Sequence, residues 1–261
     1  MKLSSDIAAV VTGGASGLGA ATATALAAQG VRVAVFDLNA EKGEALASRI
    51  GGQFFTCDVT SEESADKAFA AARAANGQER ILVNCAGIVV GKRLLRKDRE
   101  TGAVTSHDVA SFTKVIQVNL IGTFMMTAKA AAGMAKLDPV GTDAERGVIV
   151  ATSSVAAEDG QIGQVAYSAS KGGVMAMTLP IARDLAKDGI RMVSILPGLF
   201  QTPMFDALPQ EAQDALAASV PYPSRLGRPD EYAALAVQIC ENVMLNGASI
   251  RLDGAIRLAP R

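Results

Sequence analysis

Seven short apolar or β-rich runs, separated by alanine-rich helical stretches, constrain this chain more than any other feature. They lie at Ile7–Val11, Val31–Phe36, Gln53–Thr56, Ile81–Val83, Gly147–Ala151, Ile190–Leu196 and Ser249–Leu252. A strand with no polar alternation must be covered on both faces. Parallel neighbours also need crossovers long enough to hold a helix. The spacing predicts an α/β architecture, a doubly wound sheet of seven parallel strands flanked by helices. At 261 residues and 49% apolar composition, one domain of this kind is routine, so residues 1–261 are read as a single domain. No internal repeat, low-complexity tract or linker interrupts the rhythm.

The first run leads straight into Thr12-Gly13-Gly14-Ala15-Ser16-Gly17-Leu18-Gly19, and a helical pattern follows from Ala20 to Gln29. Glycines allow a tight turn and let a pyrophosphate approach the backbone. The helix start adds free N–H groups and partial positive charge. A glycine-rich loop alone is often just a turn. Here it sits between a strand and a helix, with Asp37 about 20 residues on, as a Rossmann-type dinucleotide site requires. A carboxylate at Asp37 can accept hydrogen bonds from both adenosine ribose hydroxyls and would repel the extra phosphate of NADP. Ala15 and Leu38 beside it are not basic. The expected cofactor is therefore NAD. The competing reading of Asp37, as N-cap of a helix over Ala40–Ile50, leaves the glycine spacing unexplained.

Composition narrows the chemistry further. With 25 Lys and Arg against 26 Asp and Glu, the net charge of −1 provides no global attraction for nucleic acid or an anionic membrane. Neither is an expected partner. The first residues show no signal or transit pattern, and the apolar stretches are strand-length or broken by Gly and polar residues. Cys57, Cys85 and Cys240 are widely spaced and form no CxxC pair, which suits reduced thiols in the cytoplasm. His107 is the only histidine, so neither a zinc site nor a Ser-His-Asp triad is expected; a polar loop residue is the plain reading of it. No metal is expected.

Tyr167-Ser168-Ala169-Ser170-Lys171 opens a long helical pattern. Residues four apart share a helix face, so Tyr167 and Lys171 can point into one site. A phenol of ordinary pKa near 10 is a poor base at neutral pH, but a neighbouring ammonium favours its phenolate. Taken alone, the same spacing fits an exposed surface pair. It does not stand alone. The glycine loop, Asn84-Cys85-Ala86-Gly87, Asn119, Ser153-Ser154, Tyr167 with Lys171, and Pro197-Gly198 occur in one order along the whole chain. This resembles the short-chain dehydrogenase/reductase family. The one departure, Asn-Cys-Ala-Gly where the family has Asn-Asn-Ala-Gly, leaves Asn84 and Gly87 in place.

The resemblance implies roles for individual residues. Gly13, Gly17 and Gly19, with Ser16 and Leu18, would line the pyrophosphate; Asp37 the ribose; Asp58 and Val59 the adenine. Asn84, Ala86, Gly87, Pro197, Gly198 and Thr202 would border the cofactor, Thr202 at the carboxamide. Tyr167 would be the general acid/base. Lys171 would hold the nicotinamide ribose and lower the Tyr167 pKa. Ser154 rather than Ser153 would bond the substrate oxygen, because it stands at the family's distance from Tyr167. Asn119 would support a proton-relay water near Lys171. Gln164, Leu199 and Phe200 would border the substrate. Stretches outside this common set, among them VPYPSRLGRPDEYA and NGASIRLDGAIR, resemble the branch of the family that oxidises short and branched 3-hydroxyacyl-CoA thioesters with NAD. A hydroxysteroid or other secondary-alcohol dehydrogenase, a 3-ketoacyl-carrier-protein reductase and a catalytically silent scaffold on the same fold are the alternatives.

Two segments stand outside the strand–helix rhythm. Residues 91–108 form an insertion in which Lys92–Glu100 carries five cations against Asp98 and Glu100, a rim suited to the phosphates of CoA or, plainly, a solvated loop. Residues 199–227 hold four prolines around an apolar helical piece and are expected to close over the substrate, with Leu199, Phe200, Met204, Phe205, Leu208 and Leu216 as candidate pocket residues. The pattern Tyr167–Lys187 is apolar on more than one face. With the family resemblance, that implies a homotetramer built on paired long helices, including the one around Asn119.

Overall fold

The computed structural model describes residues 1–206 and 209–260, with the side chains of Met204, Asp206 and Ala212 left aside. Leu208, one of the candidate pocket residues, lies outside the described residues. Seven parallel strands form one sheet: β1 (Ala8–Thr12), β2 (Arg32–Asp37), β3 (Gln53–Thr56), β4 (Ile81–Asn84), β7 (Gly147–Thr152), β8 (Ile190–Pro197) and β9 (Ser249–Leu252). Their order in space is β3-β2-β1-β4-β7-β8-β9. The order in which strands are added reverses between β1 and β4, and ligands of such sheets bind at the carboxyl ends beside that switch point.

The strand sequences explain the burial. All five residues of β1, all six of β7 and all eight of β8 are buried. Each fully covered Val or Ile contributes roughly 1.5–3 kcal/mol. One core lies on the side of Val11, Val35, Val83 and Ile195, the other on the side of Val10, Ala34, Leu82 and Ile149. The alternation follows the period of two along each strand. Helices α1 (Gly17–Ala28), α2 (Ala40–Ile50), α3 (Glu62–Asn76), α6 (Val165–Asp184) and α9 (Pro229–Glu241) supply the covering layers together with α4 (Val109–Ile116) and α5 (Thr123–Met134). Local signals set their ends. Asn39 caps α2 by accepting from the Lys42 N–H, and Gly51 ends it in the left-handed region. Asp37 is therefore not the N-cap of that helix. Ser61 caps α3 ahead of Glu62 and Glu63.

Two features escaped the strand–helix pattern. The insertion folds into a two-stranded antiparallel hairpin, β5 (Leu95–Lys97) with β6 (Val104–Ser106), every residue of it exposed. Helices α4 and α5 join through a π-helical turn, Gln117–Gly122, into one continuous helix over Val109–Met134. By length and composition this 26-residue helix would suffice to cross a membrane. Here its inner side, with Val115, Asn119, Met126 and Met134, is buried on the sheet and α6, and Lys129 pairs with Glu62 and Asp66 of α3. The helix α6 buries a stripe every fourth residue, Ala166, Ser170, Val174, Thr178 and Ala182.

Candidate active site

A cleft of about 620 Å³ opens along the carboxyl ends of the strands. Its first wall is the turn between β1 and α1. Gly13 adopts φ +62°, and a Cβ there would sit 2.7 Å from the Cα of Ala86; a Cβ on Gly19 would sit 2.2 Å from the carbonyl oxygen of Gly13. Both positions are closed to any other residue by the protein's own backbone. Gly17 differs: at φ +51°, its missing Cβ faces Thr202 and Pro203 across the cleft at 3.5–3.6 Å. The empty space lies on the ligand side. The Ala15 N–H donates to Asp37 Oδ2 at 3.0 Å, and the Asn39 N–H to Asp37 Oδ1 at 3.0 Å, so the carboxylate is fixed at the cleft wall by backbone. Ser16, Leu18, Asp58, Val59, Ala86 and Gly87 complete this half.

The second wall is catalytic in composition. Ser154 and Tyr167 hydrogen-bond, and the Lys171 ammonium lies 5.8 Å from the centre of the Tyr167 ring. Ser153 and Ser154 are separated in role by geometry. Ser153 is fully buried and its hydroxyl donates to the Lys171 carbonyl at 2.7 Å, while Ser154 stands at the start of a 3-10 turn with its hydroxyl toward Tyr167. Lys171 Nζ donates to the Thr152 carbonyl at 2.7 Å. Burial lowers Lys171 to about 8, so it is still mainly an ammonium at neutral pH. Burial also raises Tyr167, a shift opposed by the hydrogen bond from Ser154. In the protein alone, then, burial outweighs that hydrogen bond, and Tyr167 stays a phenol. Pro197, Gly198, Phe200 and Thr202 face these groups from the loop after β8.

Five expected residues do not line the cleft, among them Leu216 on the helix Gln210–Ala218. Asn84 is buried behind it and donates to Thr127 Oγ1 at 3.2 Å. Asn119 is fully buried in the π-helical turn, where it accepts from the Ile88 N–H at 2.8 Å and donates to the Ile88 carbonyl and to Ser170 Oγ. Only Gly87 separates it from Lys171: a Cβ there would lie 3.3 Å from Asn119 Oδ1 and 3.5 Å from Lys171 Nζ. Gln164 bonds Gln161 just before α6. Leu199 lines a smaller cavity of about 140 Å³ behind Phe200.

The comparisons with known proteins point one way. Residues 7–213 match the model of the family described as short chain dehydrogenase. The chain belongs to that family. It is 49% identical to the human protein named 3-hydroxyacyl-CoA dehydrogenase type-2, over 97% of this chain and 95% of that one. The Drosophila melanogaster protein of the same name is 48% identical over 96% of this chain and 97% of its own length. Among solved structures, that of 3-hydroxyacyl-CoA dehydrogenase type-2 from Mycobacterium avium superposes with a TM-score of 0.91 at 42% identity, covering 98% of both chains.

The dehydrogenase also places in the cleft residues that sequence reading did not assign. Thr152, Ile88, Lys114 and Val118 line it. Thr152 was within reach, since it ends a strand at the ligand-binding edge. Lys114 and Val118 have no such marker; they arrive there because α4 crosses the mouth of the cleft, and nothing local in the sequence signals that crossing.

Proposed function

We propose that this dehydrogenase oxidises a 3-hydroxyacyl-CoA to the 3-ketoacyl-CoA, reversibly, with NAD. The observation that carries the reading is the match to 3-hydroxyacyl-CoA dehydrogenase type-2 at 49% identity over 97% of the chain. The cleft fits a dinucleotide: the turn after β1 is stripped of side chains, the space at Gly17 is open on the ligand side, and Asp37 waits beside non-basic Ala15 and Leu38. That arrangement supports NAD over NADP. Gly13, Ser16, Gly17, Leu18 and Gly19 would hold the pyrophosphate, Asp37 the ribose, Asp58 and Val59 the adenine. Ala86, Gly87, Pro197, Gly198 and Thr202 would hold the nicotinamide end.

Bound NAD supplies the hydride acceptor and a positively charged ring. The chain's own residues manage the proton. Ser154 donates to the substrate oxygen and orients it. Tyr167 takes the hydroxyl proton when oxidation proceeds and returns it when reduction does. Its phenol is the resting form, so the oxidative direction needs the phenolate, which the Lys171 ammonium favours. Asn119, tied to Ile88 beside Gly87, holds the backbone next to Lys171. Residues 199–227, with Leu199 and Phe200 at their start and Gln164 opposite, would cover the acyl chain, and the cations of the 91–108 insertion would meet the CoA phosphates. The chain would act as one catalytic domain over residues 1–261, in the cytoplasm. A homotetramer is the reading supported by side chains left uncovered on the two long helices, Ile121 and Phe124 on one and Val165 and Leu179 on the other.

The test is formation of reduced nicotinamide from NAD and from NADP against a panel: short and branched 3-hydroxyacyl-CoAs, carrier-protein thioesters, hydroxysteroids and simple secondary alcohols. The highest kcat/KM is expected for NAD with a 3-hydroxyacyl-CoA. A higher value for a steroid, or for a carrier-protein thioester with NADP, would replace the reading.

A further inference from the structure

Tyr232, on α9, is fully buried and lies outside the cleft, yet it is wired to it. Its ring packs edge-on to Phe200, with centroids 6.5 Å apart. Its hydroxyl lies 2.7 Å from Thr152 Oγ1 and 3.8 Å from Cys85 Sγ. Thr152 Oγ1 in turn lies 2.6 Å from the Asn84 carbonyl oxygen and 3.5 Å from Cys85 Sγ.

The direction of these bonds follows from counting protons. A carbonyl oxygen only accepts, and the 2.6 Å contact is far shorter than the one to sulfur, so the single hydroxyl proton of Thr152 goes to Asn84. Tyr232 must then donate to Thr152. Its own oxygen is left to accept from the Cys85 thiol. The chain Cys85 to Tyr232 to Thr152 to Asn84 uses each proton once and leaves none over. Burial raises both the Tyr232 phenol and the Cys85 thiol, which keeps both donors protonated.

The chain ends at a strand pair. Asn84 and Ala151 are register partners on β4 and β7, so the Thr152 hydroxyl clamps the carboxyl end of β4 to the residue that extends β7 past it. The carbonyl of that same Thr152 is the acceptor for Lys171 Nζ. We infer that Tyr232 is a positioning residue for Lys171: its phenol orients the Thr152 hydroxyl, which fixes the peptide whose carbonyl holds the ammonium beside Tyr167. Through Phe200 the same ring touches the loop that faces the substrate, so α9 ties the ammonium and the substrate loop to one buried anchor. The inference rests on reading Tyr167 and Lys171 as the acid/base pair.

The experiment is the pH profile of kcat for Tyr232→Phe, Thr152→Val, Thr152→Ser and the double variant Y232F/T152V. NAD and the best secondary-alcohol substrate of the panel serve as reactants, with melting temperatures measured in parallel. Losing one buried hydrogen bond is worth about fivefold. Tyr232→Phe should lower kcat at neutral pH by about that factor with little change in KM. It should also move the limb that reports Tyr167 deprotonation up by about half a pH unit, because a looser ammonium supports the phenolate less. Thr152→Val should do the same and Thr152→Ser should restore the parent profile. The double variant should be no worse than the worse single one, since both break one chain. A parent pH profile in Tyr232→Phe, whatever its melting temperature, would reduce Tyr232 to packing. If that variant does not fold, identical profiles for the Val and Ser forms at Thr152 would overturn the proposal just as directly. A Tyr167→Phe control that keeps the limb would instead overturn the acid/base reading.

Discussion

The two halves of the cleft are built from opposite materials. On the side of β1 and β2 the working surface is backbone: a turn whose glycines leave no room for side chains, pinned by Asp37 through the Ala15 N–H. On the side of β7 and β8 it is side chains, Ser154, Tyr167 and Lys171, with their charges set by burial. The first half is shaped by what is absent, and it should fail by being filled. The second is shaped by where protons rest, and it should fail by losing one group while the fold survives or even gains.

Lys171→Met probes the second half and should show the largest effect, a loss of about 10²-fold or more in kcat. The same change should stabilise the ligand-free protein. Lys171 falls from an ordinary 10.5 to about 8 on folding, so the native state disfavours its ammonium. That cost is fully present below about 8 and fades as pH rises from there toward 10.5. Melting temperature should therefore be higher in the variant at neutral pH, with the advantage disappearing across that window, less whatever is lost by leaving the Thr152 carbonyl without its donor. A variant less stable at every pH would break the contrast.

In the first half, Gly19→Ala should destabilise the protein by about 1–3 kcal/mol in chemical denaturation, because its Cβ meets a backbone carbonyl. Gly17→Ala, whose Cβ meets nothing closer than 3.5 Å, is strained instead by its left-handed φ of +51°, at about 1–2 kcal/mol, and should in addition weaken NAD affinity measured by calorimetry. Unchanged NAD affinity in Gly17→Ala would mean the turn is not divided into a packed side and a ligand side. Asp37→Ala should narrow the kcat/KM preference for NAD over NADP by at least about tenfold, the scale of like-charge rejection. An unchanged ratio would take cofactor choice away from this carboxylate. The smallest effect belongs to the hairpin, outside both halves. Neutralising Arg93, Arg96 and Lys97 should raise KM for an acyl-CoA by about twofold to fivefold at low salt, less at high salt, and leave KM for NAD alone. Indifference at low salt would make the hairpin a solvated loop.

The same division explains what could be read from the sequence. All seven sheet strands were legible; a continuous apolar run such as Ile7–Val11 leaves few alternatives to a doubly covered strand. The glycine turn and Asp37 were legible because backbone demands fall on residue type and spacing. The hairpin was not: Leu95–Lys97 and Val104–Ser106 are three residues each, exposed, and held by each other rather than by a core. The π-helical turn around Asn119 left no trace in an apolar pattern that a regular helix would share. The expectation that Lys171 lowers Tyr167 omitted burial, which raises that phenol in the protein alone. Lys114 and Tyr232 reach the site only through the packing of distant elements, which spacing along the chain does not encode.

The central claim is that Tyr167 moves the proton of a 3-hydroxyacyl-CoA while the glycine half independently holds NAD. Steady-state oxidation of a short 3-hydroxyacyl-CoA by the parent enzyme and by Tyr167→Phe, with NAD affinity measured calorimetrically on both, tests it most directly. The account predicts NAD-dependent turnover in the parent, a loss of ~10²–10⁴ in kcat in the variant, and the same NAD affinity in each. Turnover within a few-fold of the parent would contradict it.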